Sequence, residues 1–546
     1  MGIFIHVDIS KSITNEEWAK VYEESKLLAH AFELGECKKV NIHGQKIYCM
    51  VRSKEKTETN KWTQKTYKGW ETCGDCVTMR CAEDAFVPEK IVKEGKTVEP
   101  DAGDAILGEI PACLDYSYEN DKFSHVYRLW GNKTQGEPYH LFLLAIACLF
   151  ENRLGNKVFI EGDITRGQCR KAVELANQYL KNKIDLPSRC DMERIYKRIN
   201  ALDLSEREKL IAFLYFYLGN KDMPFGEFIK KHFSKDVLNQ YWNKEFDEIS
   251  LSRIGLTRAF SNYMLWGFDF EGLFDFICFK DDEKEYESFI HSILDTKLHL
   301  KVKYTHNPIA IDQEAEHTYG IWTLLAQFAF AGGQNNKIAR YIPIEKIRSV
   351  LNNKLGNKCD VNAIIDQYLE KEKTENVLNK DDLDKGNCNL EDYPDKVDTF
   401  NKVLSKRLDE AAEFQHKYDI AEAWDAIFYK KGDSIAPEII ASMKSLYKLS
   451  LSLIAEDECI KLEEEGIEEK FNYLAKYNRY VLLRDCDWNR MYDKMLNDAT
   501  AFGRYYTMAR TKVNSDEIES ILRAWAINDD FYHQCKVEFE QAEQHS

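Results

Sequence analysis

No apolar stretch in the 546-residue chain is long enough to cross a membrane. The longest, Leu141 to Phe150, covers about half of a span and is closed by Glu151, Asn152 and Arg153. Also missing is a charged-then-apolar leader with a small-residue cleavage site, because Met1 to Ile9 gives way at once to polar residues. The expectation is a soluble, cytoplasmic protein without a membrane partner. Excess positive charge is lacking too. The net charge of −17 offers no basic footprint for sequence-independent nucleic-acid binding, so no nucleic-acid partner is expected. No repeat period marks a solenoid, and no complete catalytic motif or family signature is recognisable.

Globular material is plentiful. With 44% hydrophobic and 12% aromatic residues, the chain can fill several cores, and its length exceeds one ordinary domain. The 15 cysteines are irregularly spaced, which fits reduced thiols better than a disulfide framework.

Hydrophobic periodicity assigns an α+β, predominantly α fold: a small N-terminal α/β region over 1–185, a helical domain over 186–355, a charged linker or mobile loop over 356–395, and an acidic helical domain over 396–546. Ile3, Ile5, Val7 and Ile9 alternate with Phe4, His6 and Asp8, the pattern of a strand with one buried face. Thr14 with Glu17, and Ser205 with Glu208, have capping-box spacing at helix starts. Val40–Ile42 and Ile47–Val51 read as a hairpin, 53–68 as an exposed loop, and 69–125 as irregular structure with a few edge strands. Pro138 opens the buried helix that contains Leu141–Phe150, and Val158–Ile160 forms a short strand that turns into a helix from Gln168 to Lys181. Helices are expected at 226–244, 257–279, 284–300 and 319–331. In the last region they are expected near 400–412, 439–454, 471–483, 487–508 and 518–525. The aromatic run Phe213–Tyr217 reads as core.

Charge is lopsided. Lys and Arg against Asp and Glu balance to −2 over 1–185, −1 over 186–355 and −14 over 356–546. Solvated helix faces account for this, and a surface that meets a basic protein is the sharper reading.

Few groups carry chemistry. Cys73-Gly-Asp-Cys76 followed by Cys81 has spacing that lets thiolates face one zinc ion, against the plainer reading of ordinary reduced thiols. Asp163 follows Gly162 at the strand end. There it either faces a cleft or caps the next helix, a role Thr165 could also fill. His125, His140 and Cys169 fall in the same strand–helix unit, so a site of His125, His140, Asp163 and Cys169 would make a hydrolase or transferase. His299, His306 and His317, interleaved with carboxylates, read as solvated loop residues. The leading expectation is a non-enzymatic protein-binding protein, an inhibitor, immunity-type protein or adaptor, that uses the acidic C-terminal helices.

Overall fold

The computed structural model describes residues 2–59, 66–91, 103–114, 126–248, 253–277, 279, 283–296, 298–299, 341–371, 419–420, 423–498, 500–513 and 515–544. Residues 372–395 of the expected linker, the helices near 319–331 and 400–412, His125, His306 and His317 lie outside these residues, while 356–371 are described and are helical from 361 to 371. The fold is α+β and predominantly helical, with two small sheets in the N-terminal region. Among the described residues no helix is long and apolar enough to cross a membrane.

Strand β1 (Phe4–Ser10) is central in a three-stranded antiparallel sheet, flanked by β7 (Val126–Lys133) and β8 (Val158–Gly162). Its alternation is real. Ile5, Val7 and Ile9 are buried with Val158 and Ile160 beneath α1 (Asn15–Ala31), α3 (Tyr139–Leu154) and α4 (Arg166–Tyr179). Thr14 and Glu17 form the expected capping box on α1, and Thr165 with Gln168 forms one on α4. The opposite face of the sheet carries His6, Asp8, Phe159 and Glu161. A single 3-10 turn, Ala105–Gly108, and the short helix α2 (Ile110–Leu114) cover it.

The second sheet contains β2 (Leu34–Ile42), β3 (Gln45–Arg52), β4 (Lys56–Thr59), β5 (Thr66–Asp75) and β6 (Cys81–Pro88). The β2–β3 hairpin turns through His43 and Gly44, both with positive φ, as a tight hairpin turn requires. Strand β5 pairs with β2 and β4 and also with β6. This corrects the loop expected at 53–68 and the largely irregular run from 69. The polar, threonine- and lysine-rich residues 56–59 and 66–69 hide two strands that pair with each other, because they carry no apolar alternation.

Three cores result. One joins the first sheet to α1, α3 and α4. A second packs Ile106, Ile110 and Phe159 against the helices between residues 192 and 368, with Phe213 and Phe216 at its centre, as expected of that aromatic run. The third is shared: Ile42, Ile47, Cys49 and Val51 of the hairpin pack with Phe471, Leu483, Trp488 and Trp525 from the last region. The chain therefore closes on itself, and Met50 N–H donates to Leu483 O at 3.0 Å across the seam.

The run expected as one helix over 487–508 is two, Asp485–Asn497 and Ala501–Arg510. The Asp498 carboxylate accepts from the Thr500 N–H (2.9 Å) and hydroxyl (2.7 Å), an Asx turn that competes with continuing the helix.

Candidate functional site

The polar face of the three-stranded sheet collects ionisable groups. Register does this directly: His6 stands opposite Glu161 on β8, and Asp8 stands opposite Arg128 on β7. Residues two apart on a strand share a face, so His6 and Asp8 bring both pairs to one side. His6 Nδ1 lies 3.0 Å from Glu161 Oε2 and 3.9 Å from Glu109 Oε1. Arg128 donates from Nε to Asp8 Oδ1 at 3.1 Å and from Nη2 to Glu109. Glu109 comes from the turn above the sheet, and Gly108 is what lets that turn descend. A Cβ there would sit 2.6 Å from Asp8 Oδ2.

Asp8 and Glu109 are buried, His6 and Glu161 are partly open, and Arg128 reaches solvent. Burial pushes Glu109 up to about 8. The nearby Asp8 and Glu161 carboxylates add to that rise, and Arg128 only partly opposes it. Burial would raise Glu161 as well. The His6 contact and the Arg189 guanidinium behind it outweigh that and hold Glu161 below the usual carboxylate range. Arg189 is fixed by donating to Phe216 O (2.8 Å) and Ile160 O (3.2 Å). The exposed Tyr215 ring flanks the group and feels both Glu161 and Glu109.

At neutral pH this leaves a protonated carboxyl beside an ionised one, the separation that divides acid from base in many active sites. One donor atom each from His6, Glu109 and Glu161 lies within 4.8 Å of the others, so one divalent cation could bridge them once Glu109 gave up its proton and Arg128.

The residues singled out from sequence lie elsewhere. His140 is wholly buried at the start of α3, with Nδ1 2.6 Å from the Thr134 hydroxyl. Burial drives it down to about 3, which keeps the ring neutral. Cys169 is buried in the first turn of α4, beside the Cys148 and Cys190 thiols, and the Cys148 contact together with burial outweighs the opposing Cys190 contact and holds it as the neutral thiol. Asp163 does not cap α4, because Thr165 does. Instead, Asp163 accepts from Phe4 N–H at 2.9 Å and donates its own N–H to Phe4 O, fixing the end of β1. No hydrogen bond joins Asp163, His140 and Cys169. The reason is topological: α3 and α4 lie under the apolar face of the sheet, whereas the ionisable cluster lies on the other.

Of Cys73, Cys76 and Cys81, the structure brings the first and last together, with Cys37 of β2 as the third thiol. Cys76 turns away toward Glu33, Arg52 and Arg484.

Sequence reasoning placed His6 and Asp8 on the polar face of a strand but did not read them as a site. The available signal was a histidine and an aspartate two apart facing away from the core. Glu109 gave none, since it comes from a separate, irregular stretch. No family model, no curated protein and no solved structure matches the chain.

Proposed function

We propose that the protein is an enzyme of the hydrolase or transferase class, with its active centre on the polar face of the N-terminal sheet. The observation that carries this reading is the convergence of His6, Glu109 and Glu161 within 4.8 Å in a partly buried setting. Glu109 serves as proton donor, and Glu161, oriented by His6, serves as base. Arg128 holds the Asp8 and Glu109 carboxyls in register and offers its exposed edge to an anionic group on the substrate. Buried like charges destabilise a fold, and their concentration at one place is characteristic of a site kept for chemistry. The reduced state expected of the cysteines fits a cytoplasmic setting.

The test is turnover of chromogenic esters, phosphomonoesters, phosphodiesters and glycosides between pH 5 and 8, with and without Mg²⁺, Mn²⁺ or Zn²⁺. Glu161→Gln and Glu109→Gln serve as controls. Turnover lost in both variants supports the reading; no substrate turned over above the variant background counts against it.

A second reading keeps the C-terminal region as a docking surface for a basic protein. It is favoured by the exposed Asp457, Glu463, Glu464, Glu468 and Glu469 on two successive helices, Asp457–Glu464 and Ile467–Tyr477, and by exposed Glu465 between them. Capture of a basic partner that weakens with salt, and that fails after charge reversal at Glu464 and Glu468, would support it.

A further inference from the structure

Strand β5 brings a second set of reactive groups together. Cys73 lies on β5, between Cys37 on β2 and Cys81 on β6, and the β5–β6 register sets Cys81 opposite Gly74, the residue after Cys73. The β5–β6 pairing slips between Thr72 and Gly74, at Cys73 itself. Such irregularities re-aim a side chain out of the regular pleat and recur beside functional groups. Cys37 N–H donates to Cys73 Sγ at 3.2 Å. Cys73 is buried, Cys37 is half-buried and Cys81 is exposed.

The surroundings of Cys81 are cationic on one side. Arg80 reaches across from the sheet, donating from Nε to Glu137 (3.0 Å) and from Nη2 to Asp516 (3.2 Å). Arg523, buried in the helix Asp516–Ile527, donates from Nε to Leu482 O at 3.0 Å. The Cys37 and Cys73 thiols donate toward the Cys81 sulfur, and the two guanidiniums add to this. Together they push Cys81 down against its partial burial. A thiolate that is open to solvent, flanked by cations and backed by neighbouring thiols has the properties of a redox-reactive cysteine. The same guanidiniums repel a dication, which argues against a zinc site here.

We propose that Cys81 is a hydroperoxide-reactive thiol whose oxidised form is resolved by Cys73 to a disulfide between β5 and β6. The Cys81 thiolate attacks one peroxide oxygen, forming an S–O bond as the O–O bond breaks. Hydroxide departs and is protonated to water. Cys73 then gives up its proton and attacks the Cys81 sulfur, forming the S–S bond as the sulfenic hydroxyl leaves as a second water. In sum, two thiols and one hydrogen peroxide give one disulfide and two waters, with sulfur oxidised and peroxide oxygen reduced. The disulfide would form at the seam where Arg80 ties the sheet to Asp516.

The test treats the reduced full-length protein with one equivalent of hydrogen peroxide. Each cysteine is then quantified by differential alkylation and peptide mass spectrometry. Exposed Cys486 provides the internal comparison, since it is open to solvent but burial and its neighbouring carboxylates hold its thiol up rather than down. Cys81 should be consumed on the order of tenfold faster than Cys486. Its loss should be matched by loss of Cys73 and reversed by dithiothreitol. In Cys73→Ser, dimedone should trap a sulfenic acid at Cys81. Equal rates at Cys81 and Cys486 in the wild-type protein would overturn the proposal. So would one equivalent of zinc in the purified protein that is lost in Cys37→Ser, since that would make the three thiols a metal site.

Discussion

Asp8 and Glu109 meet under one guanidinium, with Arg128 bonded to both carboxyls and neither acid open to solvent. Two buried carboxyls and one cation cannot all be charged at low cost, so the pair keeps a proton, and it resides on Glu109.

A pH dependence of stability follows. In the unfolded chain Glu109 titrates near 4.5, and in the fold near 8. The folded state therefore holds the proton more tightly. This contribution to stability is complete below the unfolded value and is lost as pH rises through the folded one. Glu109→Gln, which mimics the protonated form, should flatten the decline in melting temperature between pH 5 and 8 and melt above the wild type at pH 8. A variant whose pH profile overlays the wild type would show that Glu109 is ionised throughout.

At the start of α4 two side chains compete for one role, and only Thr165 fills it. Thr165→Ala removes the cap from the Gln168 N–H and should cost about 1 kcal/mol in denaturant unfolding. Asp163→Asn keeps an acceptor for the Phe4 N–H and should change stability by less than about 0.5 kcal/mol. The reverse ranking would return the capping role to Asp163.

What the sequence made legible was local. The period-two alternation of residues 3–9 placed each side chain of β1 on its correct face, and the spacing of Thr14–Glu17 and Ser205–Glu208 located two helix starts. What it hid was register between remote segments. Glu109 reaches His6 only because Gly108 has no side chain, and Cys37 displaces Cys76 from the thiol cluster because β2 and β6 flank the same strand. Sequence proximity drew attention to His140 and Cys169, whose helices lie on the far side of the sheet. A loop reading of 53–68 failed for a different reason: β4 and β5 are neighbours in the chain, but their polar residues show no apolar alternation, and the ladder between them is what makes them strands.

The hairpin β2–β3 depends on the C-terminal helices for its buried face. Ending the chain at residue 395 would uncover Ile42, Ile47, Cys49 and Val51 together and remove the acceptor of the Met50 N–H. An exposed apolar patch on a sheet favours association. The shortened protein should elute as aggregates and bind a hydrophobic dye, whereas charge reversals at Glu464 and Glu468 should leave a monodisperse protein. A well-behaved fragment over 1–395 would show that the shared core contributes little.

Gly108 offers the most local test of the candidate site. Its Cβ would be 2.6 Å from Asp8 Oδ2 and 2.9 Å from Val126 Cγ1, and Asp8 has little room to yield because Arg128 holds it. Gly108→Ala must therefore lift the 105–114 turn or rotate the Asp8 carboxylate, at a cost of roughly 1–3 kcal/mol. Either movement separates Glu109 from His6 and Glu161, so Glu109 should titrate closer to an ordinary carboxyl. The melting temperature would then fall less steeply between pH 5 and 8, even though the protein is less stable at every pH. Catalysis, if centred here, should drop further than the loss of folded protein accounts for, and circular dichroism on the same samples separates the two effects. A Gly108→Ala protein with wild-type stability and pH profile would mean that the turn does not press on the sheet, and the assembly of the site from Glu109 would lose its structural basis.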